Sequence, residues 1–538
     1  MKAAILAGSL IKRSRITKLQ ITITLGIAAL VSAGSVVAAP RLPGFFTDNM
    51  VFQRNVPVPI WGWADPGETV TVKYDSQVVS TTADSNGEWQ VRLAPMEASE
   101  RGKPLFVGPN VKLSNIVVGD VWLCAGPSNM EMRLGHVQNA ENEIAGANFP
   151  LIRQIELPTI SVNLPQPTIV GSWLPSSPST AAGFTAVGYF FARTLYLDQH
   201  VPIGLINACY IATKIERWIA PEGFRMVPSL SQIADSVDAT LPTTARGHIA
   251  YQAAVDEMAK WVWVAKEALR DHRIPPEPPQ LPPTIAAVPE IPTTIYNGMI
   301  HPLVPFAIRG VIWYQGESNS TEGDSYFHKM QALIAGWRKI WNQGDFPFYF
   351  VQIANYGQPS TDPAGDDGWA PVRDAQRRSL VIKNTGMAVT IDVGDSGDLH
   401  PKNKQDVGAR LALWALARDY GKTNIVFSGP LYRGLNVEGN AIRVYFDSVG
   451  SGLIVGKKSG LLPTVKDDGG RLQRFAIAAA DKRWRWAEAN IDGASVVVSS
   501  PEVVNPVAVR YAYSMNPEGA NLYNQEGLPA SPFRTDDW

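Results

Sequence analysis

From residue 117 onward, short apolar segments typical of buried strands alternate with longer segments of helical periodicity. The strand-like segments cover residues 117–124, 203–209, 310–314, 348–353 and 387–392, and the helical ones lie near 184–198, 326–341 and 404–419. This alternation predicts an α/β fold, in which a parallel sheet is covered by helices on both faces. Ligands bind such sheets outside the carboxyl ends of the strands, so the residues that follow each strand are the first candidates for chemistry.

Other parts of the chain have a different character, which divides it into regions. Residues 40–115 alternate apolar and polar positions between turn signals and predict an N-terminal β-sandwich module. The α/β domain is expected over 116–423, with an insertion at about 220–294 that contains a proline-rich connector. Strand signals return over 424–538 and predict a C-terminal β-rich module.

The first 39 residues have the composition of a targeting segment. Basic residues between positions 12 and 18 precede an apolar run over 21–37, and two alanines follow it. This pattern predicts a secretory signal peptide, and hence export to a periplasm or out of the cell. The apolar run is nearly long enough to span a bilayer, so a retained N-terminal anchor is the competing interpretation.

The overall composition argues against some classes of partner. The formal net charge is −1, so there is no large basic field to hold nucleic acid, and no membrane association is expected after signal cleavage. Cys124 and Cys209 are the only cysteines, and either a disulfide or two buried thiols is compatible with the sequence. Most of the sixteen tryptophans are expected in the core, although exposed indoles commonly stack on sugar rings. The composition does not determine the oligomeric state.

Polar residues follow three of the predicted strands directly. Ser128 stands at a strand-to-helix junction, where its hydroxyl can project above the sheet, although a serine there is more often a helix cap. Gln315, Glu317 and Asn319 follow a second strand and supply amides and a carboxylate. The third strand ends in an acidic segment that contains Asp392, Asp395, Asp398 and His400.

The acidic segment around His400 has two interpretations. It contains one histidine and no thiol, which argues against zinc, whereas a calcium site made of oxygen ligands is less easily excluded. The alternative is an imidazole polarised by a carboxylate, which is what a serine nucleophile requires. Together the three segments contain a nucleophile, oxyanion donors and an acid–base pair. This combination favours a serine hydrolase that needs no metal or other cofactor.

Several segments around these residues resemble the sialate O-acetylesterase family, within the SGNH-type serine hydrolases. The similar segments are residues 119–130, 296–302, 311–319 and 398–404, and outside the site 48–54 and 527–536. The resemblance implies a flavodoxin-like three-layer core with flanking β-sandwich-like modules. It also implies cofactor-free cleavage of acetyl esters on sialic acid or related sugars. By its matching position Ser128 is the nucleophile, His400 is the catalytic histidine and Gln315 lies in the oxyanion segment.

Two positions depart from the family pattern. The family usually has Gln before the nucleophile, where this chain has Pro127, so a side-chain amide and a backbone N–H are lost. After the second core strand the family tends to have Trp-Gly-Gly-Thr, whereas residues 210–213 are Tyr-Ile-Ala-Thr. The N–H of Ala212 is still available to an oxyanion, and the bulk of Ile211 is expected to narrow the site.

The expected mechanism is acyl transfer through Ser128, with His400 as the general base. Asp398 lies two residues before His400 and is predicted to support the imidazole, with Asp395 and Glu317 as the alternatives. The oxyanion is predicted to be held by the N–H of Ser128, the N–H of Ala212 and the amide of Gln315.

The predicted partner is an O-acetylated carbohydrate. Residues expected to contact it are Asn129, Glu317, Asn319 and Arg217, the last because sialate carries a carboxylate. Two alternatives stay open: an acetylesterase of acetylxylan or another plant polysaccharide, and a non-catalytic carbohydrate-binding protein on a degenerate esterase scaffold. The departures at positions 127 and 211 and the β modules motivate the second alternative.

Overall fold

The structure is a computed structural model that describes residues 39–280 and 291–538. The predicted signal peptide lies outside the described residues, except for its last position. In the part of the chain that is described, no helix is both long and apolar enough to cross a membrane.

The N-terminal region consists of short strands followed by one long strand. These strands are β1 (Val51–Gln53), β2 (Val58–Trp63), β3 (Thr69–Tyr74), β4 (Gln77–Thr82), β5 (Glu88–Leu93), β6 (Ser99–Val107) and β7 (Val111–Gly126). β3 pairs with β4 and β6, and β2 pairs with β5. Along β3, buried Val70, Val72 and Tyr74 alternate with more exposed residues, because successive side chains point to opposite faces of a strand.

The long strand β7 joins the N-terminal region to the α/β core. Its first part pairs antiparallel with β6, and its second part pairs parallel with strands of the core. The burial of the β7 side chains changes accordingly. Exposed and partly exposed residues occur before Ile116, whereas every residue from Ile116 onward is buried, as expected where a parallel sheet is covered on both faces. The predicted boundary at residue 115 therefore falls inside one continuous strand.

The α/β core alternates strands and helices as the sequence predicts. Its elements after β7 are α1 (Ser128–Glu131), α2 (Ala140–Ala145), β8 (Ile152–Glu156), β9 (Trp173–Pro175), α3 (Ala186–Gln199), β10 (Ile203–Cys209), α4 (Pro221–Met226), α5 (Ser231–Thr240), α6 (Ala245–Arg270), β11 (Gly310–Trp313), α7 (Asp324–Trp341), β12 (Phe348–Gln352), α8 (Ala370–Arg378), β13 (Thr385–Val389) and α9 (Lys404–Arg418). The sheet order is β13-β12-β11-β7-β10-β8-β9, and all these pairs are parallel except β8 with β9.

Helices cover both faces of this sheet. Phe348 and Tyr349 are consecutive on β12, so their side chains point to opposite faces. The Phe348 ring contacts Trp337 of α7, whereas the Tyr349 ring contacts Trp414 of α9. α7 and α9 therefore lie on opposite sides of the sheet, and the predicted layering of the core is present.

The predicted insertion at about 220–294 is largely helical in its described part. α4 packs against α7 of the core, and α5 packs against α6. α6 begins after Thr244, whose hydroxyl accepts a hydrogen bond from the N–H of Gly247 at 3.0 Å, an ordinary N-cap. The proline-rich residues 273–280 that follow it form neither helix nor strand.

The regular elements of the C-terminal region, residues 424–538, are all β-strands. Its strands are β14 (Leu431–Glu438), β15 (Ala441–Asp447), β16 (Leu453–Ser459), β17 (Leu462–Lys466), β18 (Phe475–Ala479), β19 (Trp484–Trp486), β20 (Glu488–Asp492), β21 (Ser495–Ser499), β22 (Pro506–Tyr511), β23 (Leu522–Asn524) and β24 (Phe533–Arg534). They form sheets in the orders β14-β15-β21-β20, β17-β16-β23 and β19-β18-β22-β24 around a hydrophobic core of their own. The protein is thus an α/β fold with additional β-sheet modules.

Candidate active site

The ends of three neighbouring core strands bring the predicted polar segments to one edge of the sheet. Cys209 of β10 pairs with Gly126 of β7, and Trp313 of β11 pairs with Ala125 on the other side. Gly126 has a φ of 145°, and a Cβ added there would lie 2.2 Å from the carbonyl oxygen of Tyr314. Only glycine fits this position, because it has no Cβ and tolerates a positive φ. Gly126 therefore lets the chain turn toward Ser128 while its backbone stays close to Tyr314.

Ser128 and His400 are in direct contact at this edge. The Oγ of Ser128, the first residue of α1, lies 2.7 Å from the Nε2 of His400. Because the first N–H groups of a helix have no partner within it, the N–H of Ser128 is available to a ligand. The structure thus brings together the predicted nucleophile and its predicted base, which are 272 residues apart in the sequence.

The three candidate acids lie in different positions relative to His400. Asp398 Oδ1 accepts the backbone N–H of His400 at 2.8 Å and lies 3.4 Å from its Nδ1, beyond an ordinary hydrogen bond. Asp395 Oδ1 accepts the N–H of Gly397 at 2.8 Å. Glu317 Oε1 accepts a hydrogen bond from Asn129 at 2.6 Å. Of the three, Asp398 is the carboxylate that lies beside the imidazole.

Asn129 connects the nucleophile to the histidine-bearing segment. Its amide nitrogen donates to Glu317 Oε1 at 2.6 Å and to the carbonyl oxygen of Leu399 at 3.0 Å, and its Oδ1 accepts from Lys404 Nζ at 2.6 Å. Asn129 is 2% exposed, so these internal bonds occupy its amide. The side chain thus links the nucleophile to the segment that carries His400, and contact between Asn129 and substrate stays a prediction.

The predicted oxyanion and substrate residues of the second segment also face inward. Gln315 is fully buried and donates to the carbonyl oxygen of Thr213 at 3.2 Å and to Asn319 Oδ1 at 2.7 Å. Asn319 Oδ1 also accepts the N–H of Ile215 at 3.0 Å. Both amide hydrogens of Gln315 therefore have acceptors within the protein, and its role as an oxyanion donor stays a prediction. The two side chains hold the 210–215 loop against the sheet edge.

Two further predicted residues lie on that loop. Ala212 is exposed, its φ is +52°, and its N–H has no hydrogen-bond partner in the described part of the chain. Arg217 is 4% exposed, donates to Ser161 Oγ at 2.7 Å, and packs over the Tyr210 ring with its guanidinium 4.9 Å from the ring centre. Ala212 is placed to meet a ligand, whereas Arg217 is committed to the protein interior.

Comparison with known proteins gives consistent results. The model of a family described as carbohydrate esterase, sialic acid-specific acetylesterase, matches residues 289–417. The sialate O-acetylesterases of Rattus norvegicus and Homo sapiens are 28% and 27% identical, over 94% and 92% of this chain and 96% and 92% of their own lengths. The crystal structure of a carbohydrate acetylesterase from Xanthomonas citri is 34% identical, with a TM-score of 0.74, covering 93% of this chain and all of that one. The chain belongs to the sialate O-acetylesterase family. The predicted membership is therefore confirmed, and the protein is an esterase hydrolase.

The positions that depart from the sialate O-acetylesterase pattern have clear local structures. Pro127 precedes Ser128 with a φ of −80°, which the proline ring allows, and its carbonyl oxygen accepts the N–H groups of Met130 and Glu131. Ile211 is 56% exposed, so its side chain lies at the surface of the loop. Ala212 adopts a left-handed conformation that favours glycine, the residue that the family tends to have there.

The two cysteines and the acidic segment have defined surroundings in the structure. Cys124 and Cys209 are both buried free thiols, and burial raises the pKa of each. Among the described residues, no three His, Cys, Asp or Glu side chains are grouped so that they could hold a metal ion. Asp392, in the acidic segment, is instead paired with Arg410, with contacts of 2.6 and 2.8 Å.

Lys404 is a site residue that the sequence analysis did not single out. It is fully buried, donates to Asn129, and lies 5.0 Å from the centre of the Tyr314 ring. Burial lowers the pKa of Lys404 to about 7, although the charges of Glu317 and Asp398 oppose this shift. Burial also raises the pKa of Glu317, with the Asn129 hydrogen bond and the Lys404 charge acting in the opposite direction. The only signal for Lys404 in the sequence is its position in the segment that resembles the family.

We expect the stability of the protein to rise with pH because of Lys404. Its ordinary pKa is 10.5 and its folded pKa is about 7, so between these values the unfolded chain binds a proton that the folded protein does not. The free energy of unfolding of the wild type minus that of Lys404→Met should increase from pH 7 to pH 9.5. The measurement is urea unfolding followed by tryptophan fluorescence. Exposed Lys402→Met is the control, and a pH-independent difference for Lys404→Met would contradict the expectation.

Proposed function

We propose that the protein is a carbohydrate O-acetylesterase in which Ser128 is the nucleophile and His400 is the general base. The observation that carries the proposal is the 2.7 Å contact between Ser128 Oγ and His400 Nε2 at the carboxyl edge of the sheet. Family membership supports acetyl ester hydrolysis as the activity. β7 lies between β10 and β11, so the order of the strands along the chain reverses at β7. Ser128 directly follows β7, and such a reversal is where open α/β sheets bind ligands.

We further infer that the core is of the SGNH hydrolase type. When β7, β10, β11, β12 and β13 are numbered one to five in chain order, their order in the sheet is 2-1-3-4-5. This is the flavodoxin-like order that the resemblance implies. β8 and β9 extend the sheet beyond β10.

In the proposed reaction, His400 Nε2 takes the proton of the Ser128 hydroxyl while Oγ attacks the acetyl carbonyl. The tetrahedral intermediate collapses when the sugar oxygen leaves with the proton from His400. Water then attacks the acetyl-serine, again with His400 as base, and acetate is released. The bond from Asn129 to the Leu399 carbonyl, at 3.0 Å, keeps the two reacting side chains aligned throughout.

The oxyanion is held in this proposal by the backbone N–H groups of Ser128 and Ala212. Neither N–H has a hydrogen-bond partner among residues 39–280 and 291–538. The two groups follow adjacent strand ends, since Tyr210 N–H donates to the Gly126 carbonyl at 3.2 Å. Gln315 contributes indirectly, because it holds the Thr213 carbonyl and thereby the loop that carries Ala212. Such preorganised donors stabilise charge that develops in the transition state without reorganisation.

Asp398 is the carboxylate that we expect to support His400. Asp398→Ala should lower kcat for p-nitrophenyl acetate by about 10²-fold, at the low end of a general-base contribution, because the contact to Nδ1 is long and the carboxylate is 42% exposed. Asp395→Ala, in the same loop and three residues before Asp398, is the matched control and should stay within a few-fold of the wild type. A rate for Asp398→Ala that is also within a few-fold would remove Asp398 from the mechanism.

The acetylated sugar is identified by acetate release from two substrate classes. O-acetyl sialic acid carries a carboxylate, whereas acetylated xylan does not. Arg217, the residue expected to bind that carboxylate, is buried and therefore does not offer its charge to a sugar at the surface. Faster acetate release from acetylated xylan would favour the polysaccharide alternative, and faster release from O-acetyl sialic acid would favour the sialate assignment. Loss of both activities in His400→Ala would support the proposed base.

We also propose that residues 1–39 direct export and are then removed. The support is the basic stretch, the apolar run and the small residues near position 39. N-terminal sequencing of the protein recovered from the periplasm or the medium tests this, and an intact N-terminus in the membrane fraction would favour the anchor.

A further inference from the structure

Trp486 differs from almost all other tryptophans of the chain in its exposure. Of the sixteen, only Trp263 and Trp486 are classed as exposed, at 67% and 42%. Trp486 ends β19, and its Nε1 donates to the carbonyl oxygen of Thr361 at 3.3 Å. The guanidinium of Arg474 lies 5.7 Å from its ring centre. The exposed indole is therefore held in a defined orientation on the β module.

A cavity of about 480 Å³ lies beside this indole. Besides Trp486, its lining includes Gln473, Phe475, Glu518 and Gly519. Glu518 is exposed and has no ion-pair partner in the part of the chain that the structure describes. The cavity thus combines one aromatic ring with side chains that can donate and accept hydrogen bonds.

A second cavity of about 560 Å³ meets the first at Glu518 and Gly519, which line both. Its other lining residues include Asp395, Ser396 and Lys457. Together the two cavities form one groove, which we call the 486–395 groove. Charges of both signs line it. The carboxylates are those of Asp392, Asp395, Asp467 and Glu518, the cationic side chains are those of Lys457, Lys458 and Arg474, and Asp392 is already paired with Arg410.

The 395 end of the groove adjoins the segment that carries His400. Asp395 and Ser396 precede His400 in the same loop. Lys458 lies in the β16–β17 hairpin, and its Nζ is 2.6 Å from Asp406 Oδ2 of α9. The turn of this hairpin is bound as well, because the carbonyl oxygen of Gly460 accepts from Asn403 Nδ2 at 3.2 Å. The C-terminal module is thus attached to the chain just after His400, at the start of α9.

We propose that the 486–395 groove binds the carbohydrate chain that continues from the acetylated residue, with Trp486 as the platform for one sugar ring. This inference rests on the proposed function. An indole face offers apolar area to the C–H face of a sugar, while carboxylates and an amine match its hydroxyl groups. Because carboxylates and cationic side chains nearly balance along the groove, it offers no net field that would attract a charged chain, so the ligand is a neutral oligosaccharide.

The test compares acetylated hexasaccharides of xylose, glucose and mannose with the corresponding acetylated monosaccharides and with p-nitrophenyl acetate. The wild type should have a higher kcat/KM for at least one hexasaccharide than for its monosaccharide. Trp486→Ala should lower that value about tenfold, as truncation of one aromatic anchor typically does, and leave p-nitrophenyl acetate hydrolysis unchanged. Trp263→Ala, the other exposed tryptophan, should change neither.

Two results would overturn the proposal that the 486–395 groove binds a carbohydrate chain. One is equal rates of Trp486→Ala and Trp263→Ala on every hexasaccharide, and the other is a wild type that prefers none of the hexasaccharides over its monosaccharide. Calorimetric titration of Ser128→Ala with the unacetylated hexasaccharides tests binding without turnover, and the added Trp486→Ala change should weaken the affinity about tenfold. Failure of the proposed function is seen separately, as p-nitrophenyl acetate hydrolysis that survives Ser128→Ala.

Discussion

Ser128→Ala should lower kcat/KM for p-nitrophenyl acetate by about 10⁴-fold or more, because acyl transfer then has no nucleophile on the enzyme. The folded structure should be unaffected, since the hydroxyl of Ser128 has its contact with His400 and lies at a partly exposed helix start. The measurement is the initial rate of nitrophenolate release by the chain from residue 40, with the thermal unfolding midpoint recorded for each variant.

The same experiment contains its own controls. His400→Ala should cost about as much as Ser128→Ala, and the double variant little more than either, because residues that act as one unit are strongly non-additive. Ser80→Ala, an exposed serine of the N-terminal region, should leave the rate unchanged. Retention of more than a tenth of the wild-type rate in Ser128→Ala would remove the serine from the mechanism.

Asp392→Ala should lower the free energy of unfolding by about 3–5 kcal/mol, because it leaves the buried charge of Arg410 without its partner. The two side chains are 2% and 8% exposed and form two contacts of 2.6 and 2.8 Å. Arg410 also donates to the carbonyl oxygen of Val389 at 2.7 Å, so the pair ties α9 to the end of β13. The measurement is denaturant unfolding followed by tryptophan fluorescence.

A double-mutant cycle separates the pair from its surroundings. Arg410→Ala should destabilise to a similar extent, and the double variant should lose less than the sum of the two, since neither charge is then left alone. Arg485→Ala is a control of the same residue type. Arg485 pairs with Glu502, and because the two side chains are 42% and 68% exposed, the free energy of unfolding should change by no more than about 0.5 kcal/mol. A loss below about 1 kcal/mol for Asp392→Ala would show that the pair is not the anchor of this segment.

The position of this ion pair connects stability with catalysis. Asp392 begins the loop that leads to His400, and Arg410 lies on the helix that follows it. We therefore expect Asp392→Ala to lower activity even at temperatures where the protein is folded, since the imidazole loses one support of its loop. Asn129, which contacts Leu399 and Lys404, supports the same segment from the other side.

Much of the fold could be predicted from local patterns. Five strands of the core coincide closely with predicted segments, because strands buried on both faces are continuous runs of apolar residues. The prediction did not include β8 and β9, which extend the same sheet. The domain boundary at residue 115 could not be predicted well, because β7 continues through it without a turn. Along this one strand, alternating burial changes to continuous burial. Sequence alone also left the state of Cys124 and Cys209 open, because it contains no distance between β7 and β10.

The sequence by itself determined that Ser128, Gln315 and His400 lie at one edge of the sheet. Ser128, Gln315 and His400 follow predicted strands, and parallel strands end at one sheet edge, so their proximity follows from the pattern. Tertiary structure decided what each side chain does there. The Gln315 amide is used by Thr213 and Asn319, and Arg217 is used by Ser161 and Tyr210. Lys404 stands at the start of a helix, where a lysine is ordinarily exposed, but its side chain is buried and donates to Asn129. The physical reason is that strand order determines where a residue lies, whereas the direction of a buried polar group depends on partners distant in the sequence.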